Sequence, residues 1–301
     1  MPIILMLYSL YRLGSISREK LFWIKQMNVY EVRKFLQNLD DLSTIPAVLG
    51  KILSIVNNEE SSYKDLNSLI AHDQALAERV LRAANSALFG HPGRIRDIGQ
   101  ATMFLGFERI KAIAVGMNVI EIFPPRNSYN IKNLWIHGYE VASIASVLSD
   151  FIPMTSPREC YLSGLLHDIG RIIFYQIDHN LFFNIVSTDD MLEKEREIFG
   201  CTHADAGAWF AETAGMPSEI IVTTKHHHSP SRADEFLISV SIVSLAEAMS
   251  RMFSPRIEDD GLWTKEHDAI LLELGINDDT FASVGEKLCG LKKEAERFFN
   301  S

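Results

Sequence analysis

From Ile45 to Phe299 apolar residues recur at three- and four-residue intervals, in stretches of helix length cut by frequent stop signals. That spacing buries one face of a helix, whereas the two-residue alternation that buries one face of a strand is scarce. The chain is therefore expected to be all-α. Helices are predicted at about Ile45–Val56, opening after Thr44 with Pro46 in the first turn, and at Tyr63–Ala71, Gln74–Ala87, Gln100–Phe104 and Phe107–Phe123. A second series follows at about Ile131–Phe151, Pro157–Gln176, Met191–Glu197, Cys201–Ala214, Ser218–His227 and Phe236–Phe253, then an amphipathic tail at Thr264–Leu274 and Thr280–Phe299.

Phe89-Gly90-His91-Pro92-Gly93 is a break, and the loop from Pro124 to Ser128 is the best boundary between lobes. The resulting division is an N-terminal extension with a first helix (1–41), a smaller N-terminal helical lobe (42–125), a larger helical lobe (126–255) and a helical tail (256–301). The aromatics Phe104, Phe107, Trp209 and Phe210 are expected in the core.

A net charge of −10 argues against binding DNA or RNA, which takes a surplus of Lys and Arg, and against an acidic membrane surface. The apolar stretch Pro2–Tyr11 has about half the length of a membrane span and lacks the features of a secretory signal. MNVYEVRKFLQNLDDL also reads as the start of a first helix, so Met1 and Met27 both stand as possible starts. Cys160, Cys201 and Cys289 are scattered with no C-x-x-C pair, which points to free thiols and a cytoplasmic location.

The histidines carry the chemistry. Only His72 and His91 precede the interlobe loop, and the other eight lie between positions 137 and 267. His72-Asp73 begins a helix, and Asp73 is better read as its N-cap than as a ligand. In the larger lobe His167-Asp168 follows an apolar helical face, Tyr161, Leu162, Leu165 and Leu166, and is expected to lie inside that helix. An imidazole and a carboxylate there are costly unless paired or metal-bound. His137, His203, the run His226-His227-His228 and Glu247 lie on neighbouring predicted helices, each near an apolar face. A helical bundle can aim such groups at one point, and mixed His/carboxylate donors suit iron, manganese or zinc.

The stretches DQALAERVLRAANSALFG, IGQATMFLGFERIKAIA, LSGLLHDIGRII, EREIFGCTHADAGAWFAETAGMP, the histidine run and IVSLAEAMS stand in this order. Together they resemble the HDOD family, the "HD-related output domain" of bacterial signalling proteins, within the HD metal-dependent phosphohydrolase superfamily. The resemblance covers about Leu42 to Phe253 and implies an HD-like helical bundle in the larger lobe. It implies one or two divalent metals. One would take His137, His167, Asp168 and Glu247, and a second would take Asp168 as a bridge with His203, His227 and His228. Counted from Pro217, His227 and His228 fit the family register and His226 falls outside it. Glu247 stands where the family usually has Asp, and is one methylene longer. The Gly-Tyr-Pro loop of related cyclic-dinucleotide phosphodiesterases is absent, the chain reading HHHSPSRADEF, so that substrate is not implied.

The resemblance supports a signalling module with a real metal site, acting through a protein partner or a ligand. Its alternative is an active phosphohydrolase on a nucleotide or other phosphoester. There Asp168 and Arg171 would be the catalytic pair, with Arg171 on the phosphate. A third reading is a metal or small-molecule sensor whose lobes rearrange.

Overall fold

The structure is a computed structural model that describes residues 28–41, 47–58, 60–85, 95–124, 129–152, 157–186, 190–253 and 262–287, with the single positions 293 and 296. Pro2–Tyr11, Met27, the break at Phe89–Gly93 with His91, residues 125–128 of the interlobe loop, Cys289 and the end of the tail lie outside the described residues. The N-terminal part of the chain contains α1 (Val29–Asp41), α2 (Ala47–Val56), α3 (Tyr63–Ala71), α4 (Gln74–Ala84), α5 (Ile98–Leu105) and α6 (Phe107–Ile122). The chain continues through α7 (Tyr129–Ser149), α8 (Pro157–Leu166), α9 (Ile169–Ile177), α10 (His179–Ile185), α11 (Met191–Phe199), α12 (His203–Thr213), α13 (Ser218–His226) and α14 (Leu237–Phe253). Two helices close it, α15 (Lys265–Glu273) and α16 (Asp278–Lys287). Among the described residues there is no strand. The chain is all-α.

Side-chain caps fix where these helices begin. Asp73 accepts from the backbone N–H of Leu76 at 3.0 Å and opens α4, while His72 is exposed. Thr202 and Asp205 form a reciprocal box at the start of α12, which places His203 in its first turn. An Asp73→Ala variant is expected to lose about 1 kcal/mol of stability through the orphaned N–H. Urea denaturation of the two proteins checks this, and an unchanged midpoint would mean that α4 does not need its cap.

Two helices form the axis of the core. In α6 every residue from Ile110 to Ile120 is buried, and in α7 every residue from Leu134 to Ser149. Helices buried all round are expected where the sequence is apolar on every face. Buried hydroxyls in α7 turn back on their own helix, as Ser143 Oγ does on the Tyr139 carbonyl at 2.7 Å. Around α7 pack α8, α14 and α16, while α6 packs against α2, α4 and α8. Close approach of α7 and α8 depends on glycine. A Cβ on Gly138 would sit 2.6 Å from the Leu165 carbonyl oxygen, and one on Gly164 would sit 2.8 Å from the Ala142 Cα. That crossing brings His137 and His167 together.

Several sequence expectations need correction. Pro157–Gln176 is two helices, α8 and α9, separated by His167 and Asp168, which lie outside both. Asp168 takes the N-cap position of α9 with no side-chain cap bond, so its carboxylate is left to face the histidines. Helix α10, which lies outside the predicted series, is opened by Asp178, whose side chain accepts from the backbone N–H groups of Asn180 and Leu181. Phe104 is 50% exposed, because α5 turns it to solvent while Ala101 and Leu105 face the core. Trp209 is half-buried, with the Arg33 guanidinium 4.0 Å from its ring centre. Arg33 belongs to α1, which packs on α12 and α9.

Candidate metal centre

The break between α8 and α9 faces the ends of α12 and α13 and the buried sides of α7 and α14. Each contributes a polar group. His137 comes from α7, His167 and Asp168 from the break, His203 from the first turn of α12, His227 and His228 from the residues just after α13, and Glu247 from α14. The donor atoms fall into two sets. His137, His167, Asp168 and Glu247 form one, and Asp168, His203, His227 and His228 the other, with all atoms of a set within 4.8 Å of one another. Asp168 belongs to both. Its Oδ2 lies 3.4 Å from His137 Nε2 and 3.4 Å from His167 Nε2, and its Oδ1 lies 3.1 Å from His203 Nε2 and 3.7 Å from His227 Nε2. His228 stands between the sets, with Nε2 2.9 Å from His203 Nε2 and Nδ1 3.8 Å from Glu247 Oε2.

The hydrogen bonds on the far side of the rings fix which nitrogens face inward with a free electron pair. His167 Nδ1 donates to the Gly164 carbonyl at 2.8 Å, and His227 Nδ1 to the Thr224 carbonyl at 2.7 Å. His203 Nδ1 lies 2.8 Å from a carboxylate oxygen of Glu195. Carbonyls and carboxylates only accept, so these Nδ1 atoms carry hydrogen, and the Nε2 of His167, whose pKa burial lowers, turns a lone pair toward Asp168. His167 Nε2, both oxygens of Asp168 and Glu247 Oε1 are buried and make no hydrogen bond. Buried acceptors left without donors call for a water or an ion among them. Tetrahedral bonds of about 2.0–2.1 Å separate neighbouring donors by about 3.4 Å, which matches the spacings around Asp168. The residues fit a divalent metal.

Fixed charges point the same way. Burial works to raise the pKa of Asp168, but the Arg171 guanidinium, His167 and the facing imidazoles of His137 and His203 outweigh it and hold the carboxyl well below its ordinary value. Arg171 is itself buried, with Nε 3.2 Å from Asp168 Oδ1. Burial pulls His203 down, yet the Glu195 carboxylate bonded to it and the facing Asp168 carboxylate carry it up to about 9. Burial, with His227, His203 and Arg171 beside it, holds His228 well below its usual value.

The structure brings all seven sequence-predicted ligands, together with Arg171, into one centre. His226 is half-buried and belongs to neither donor set. Sequence reasoning missed Glu195, a fully buried carboxylate in α11. In MLEKEREIF, eight residues before His203, it is one charge among several, with no signal of its own in the sequence. Cys160 and Cys201 are buried thiols.

The HDOD domain family matches residues 42–230, so that Glu247 and α14 lie beyond the matched segment. An uncharacterised protein of Treponema pallidum (strain Nichols) is 25% identical over 224 residues, 71% of this chain and 43% of its own length. The chain spans less than half the length of the curated relatives it matches. Among solved structures, an HDOD domain protein of unknown function from Geobacter sulfurreducens superposes with a TM-score of 0.73 at 21% identity, over 90% of this chain and 97% of that one. A candidate phosphohydrolase from Shewanella amazonensis SB2B gives 0.70 at 24% identity, over 88% and 97%. These likenesses establish the fold.

Proposed function

The chain belongs to the HDOD domain family, and on that premise we propose that it is a cytoplasmic signalling module whose larger lobe holds one or two divalent metals, iron, manganese or zinc. Its output passes to a signalling protein or through a bound ligand, not through turnover. The observation that carries this reading is the sealing of the centre. Six of the seven candidate ligands are no more than 4% exposed, and the His228 side chain reaches only 11%. Each donor set also supplies four protein groups, enough to complete a tetrahedral shell. A structural metal is closed in this way, whereas a hydrolytic one keeps a position for water or phosphate. The net charge of −10 sets the partner apart from DNA, RNA and membrane surfaces.

One observation favours a second reading, a metal-dependent phosphohydrolase. Asp168 offers one oxygen to each donor set, the arrangement by which a carboxylate joins paired metals in phosphoester hydrolysis. Arg171 would then be the group nearest the reacting phosphate.

Untagged protein is expected to purify with about one or two equivalents of metal by elemental analysis, and to hydrolyse bis(p-nitrophenyl) phosphate no faster than a chelator-treated control. Metal-dependent hydrolysis that disappears in an Asp168→Ala variant would move the assignment to the second reading. Protein that stays folded, holds no metal and takes up none when supplied would end both.

A further inference from the structure

His167 and His227 each anchor Nδ1 on a backbone carbonyl three residues back in their own segment. His203 does not. Its Nδ1 lies 2.9 Å from Glu195 Oε1 and 2.8 Å from Oε2, and its backbone N–H donates to Glu195 Oε2 at 2.8 Å. Glu195 comes from a different helix, α11, and is fully buried. A buried carboxylate is costly unless it is compensated, and here its hydrogen bonds converge on a single residue.

The partner's chemistry decides what His203 can do. An ionised acceptor on Nδ1 fixes the ring orientation, keeps that nitrogen protonated and enriches Nε2 as a donor more than a neutral carbonyl does. Nε2 is the atom 3.1 Å from Asp168 Oδ1. The first donor set has no such support from Glu195, because His203 is not a member of it. Resting on the metal-centre reading above, we infer that Glu195 is a positioning residue for His203 that sets the affinity of the second donor set alone. The two sets are then unequal by construction, and the strength of the second is controlled from α11.

The test is metal titration by calorimetry on the full chain, stripped by chelation and refilled with Zn²⁺ or Mn²⁺, for wild type and Glu195→Gln. Glutamine keeps the shape and an acceptor oxygen but removes the charge. Two binding events are expected in wild type, and in the variant one of them weakens by about 10–100-fold while the other is unchanged. Equal affinities in the two proteins would overturn the inference and leave the metal centre standing. A wild type that binds no metal would overturn both. A merely structural role for Glu195 would lower the unfolding midpoint without splitting the two events. Should the variant fail to fold, ¹⁵N-histidine spectra of zinc-loaded wild type still decide. Hydrogen on Nδ1 of His203 with Nε2 on the metal is expected, and ligation through Nδ1 would overturn the assignment.

Discussion

An Asp168→Asn variant is expected to lose metal from both donor sets at once, bringing metal content to background in elemental analysis. Asparagine keeps the shape of the side chain but offers one weak neutral oxygen in place of two charged ones, and each of those oxygens faces a different group of imidazoles. Removing Glu247 instead, as Glu247→Gln, should empty only the set it belongs to. The same Asp168 change leaves the buried Arg171 guanidinium without the carboxylate 3.2 Å away. Removing one partner of a buried ion pair costs about 3–5 kcal/mol. Chelator-treated variant should therefore unfold at clearly lower urea than chelator-treated wild type. Retention of metal by the variant would exclude Asp168 as a ligand.

A Gly170→Ala variant is expected to damage the fold and the centre together. A methyl group there would overlap the His203 carbonyl oxygen and lie 2.9 Å from the Gly207 backbone nitrogen. Both obstacles are main chain, so no side chain can swing aside. Helix α9 must back away from α12, at a cost of about 1–3 kcal/mol or more, and the retreat separates Asp168 from His203. Gly50→Ala is the matched control. It lies on the exposed side of α2 with nothing within 4 Å of an added Cβ, and should stabilise by about 0.5–1 kcal/mol through helix propensity. Thermal unfolding and metal titration of both variants check the pair. A Gly170→Ala protein as stable and as metal-competent as wild type would show that the α9–α12 contact is looser than the structure has it.

Much of this arrangement is legible in the residues themselves. The three-to-four spacing marks the helices, and Asp73 announces where one of them starts, because both follow from interactions within a few residues. The ligands were legible by another route, from His167-Asp168 and its companions taken as a family pattern. What local reasoning misreads is what distant segments decide. The α8–α9 break lies in a run that is helical by composition. Beside it Gly170 lets α9 press on the backbone of α12, a contact between residues more than a helix apart in sequence. Glu195 was hidden for the same reason. In sequence it is one charge among several in α11, and only the fold turns it toward His203 while its neighbours face water. Phe104 shows the converse, an aromatic whose type suggests the core and whose place on α5 sends it outward.

His137 and Glu247 enter from α7 and α14, so the centre spans most of the larger lobe in sequence. No ligand is joined to the whole by a short loop, and the gaps can close only when intervening helices have docked. Such long-range closure comes late in folding, since its chain entropy must be overcome before its contacts form. An ion that binds only the finished arrangement favours the native state by mass action. Metal supply would thus set what fraction of the chains stands with α14 undocked, and in that fraction the apolar face of α14, Val240, Val243 and Met249 among it, is what a chaperone or protease would encounter.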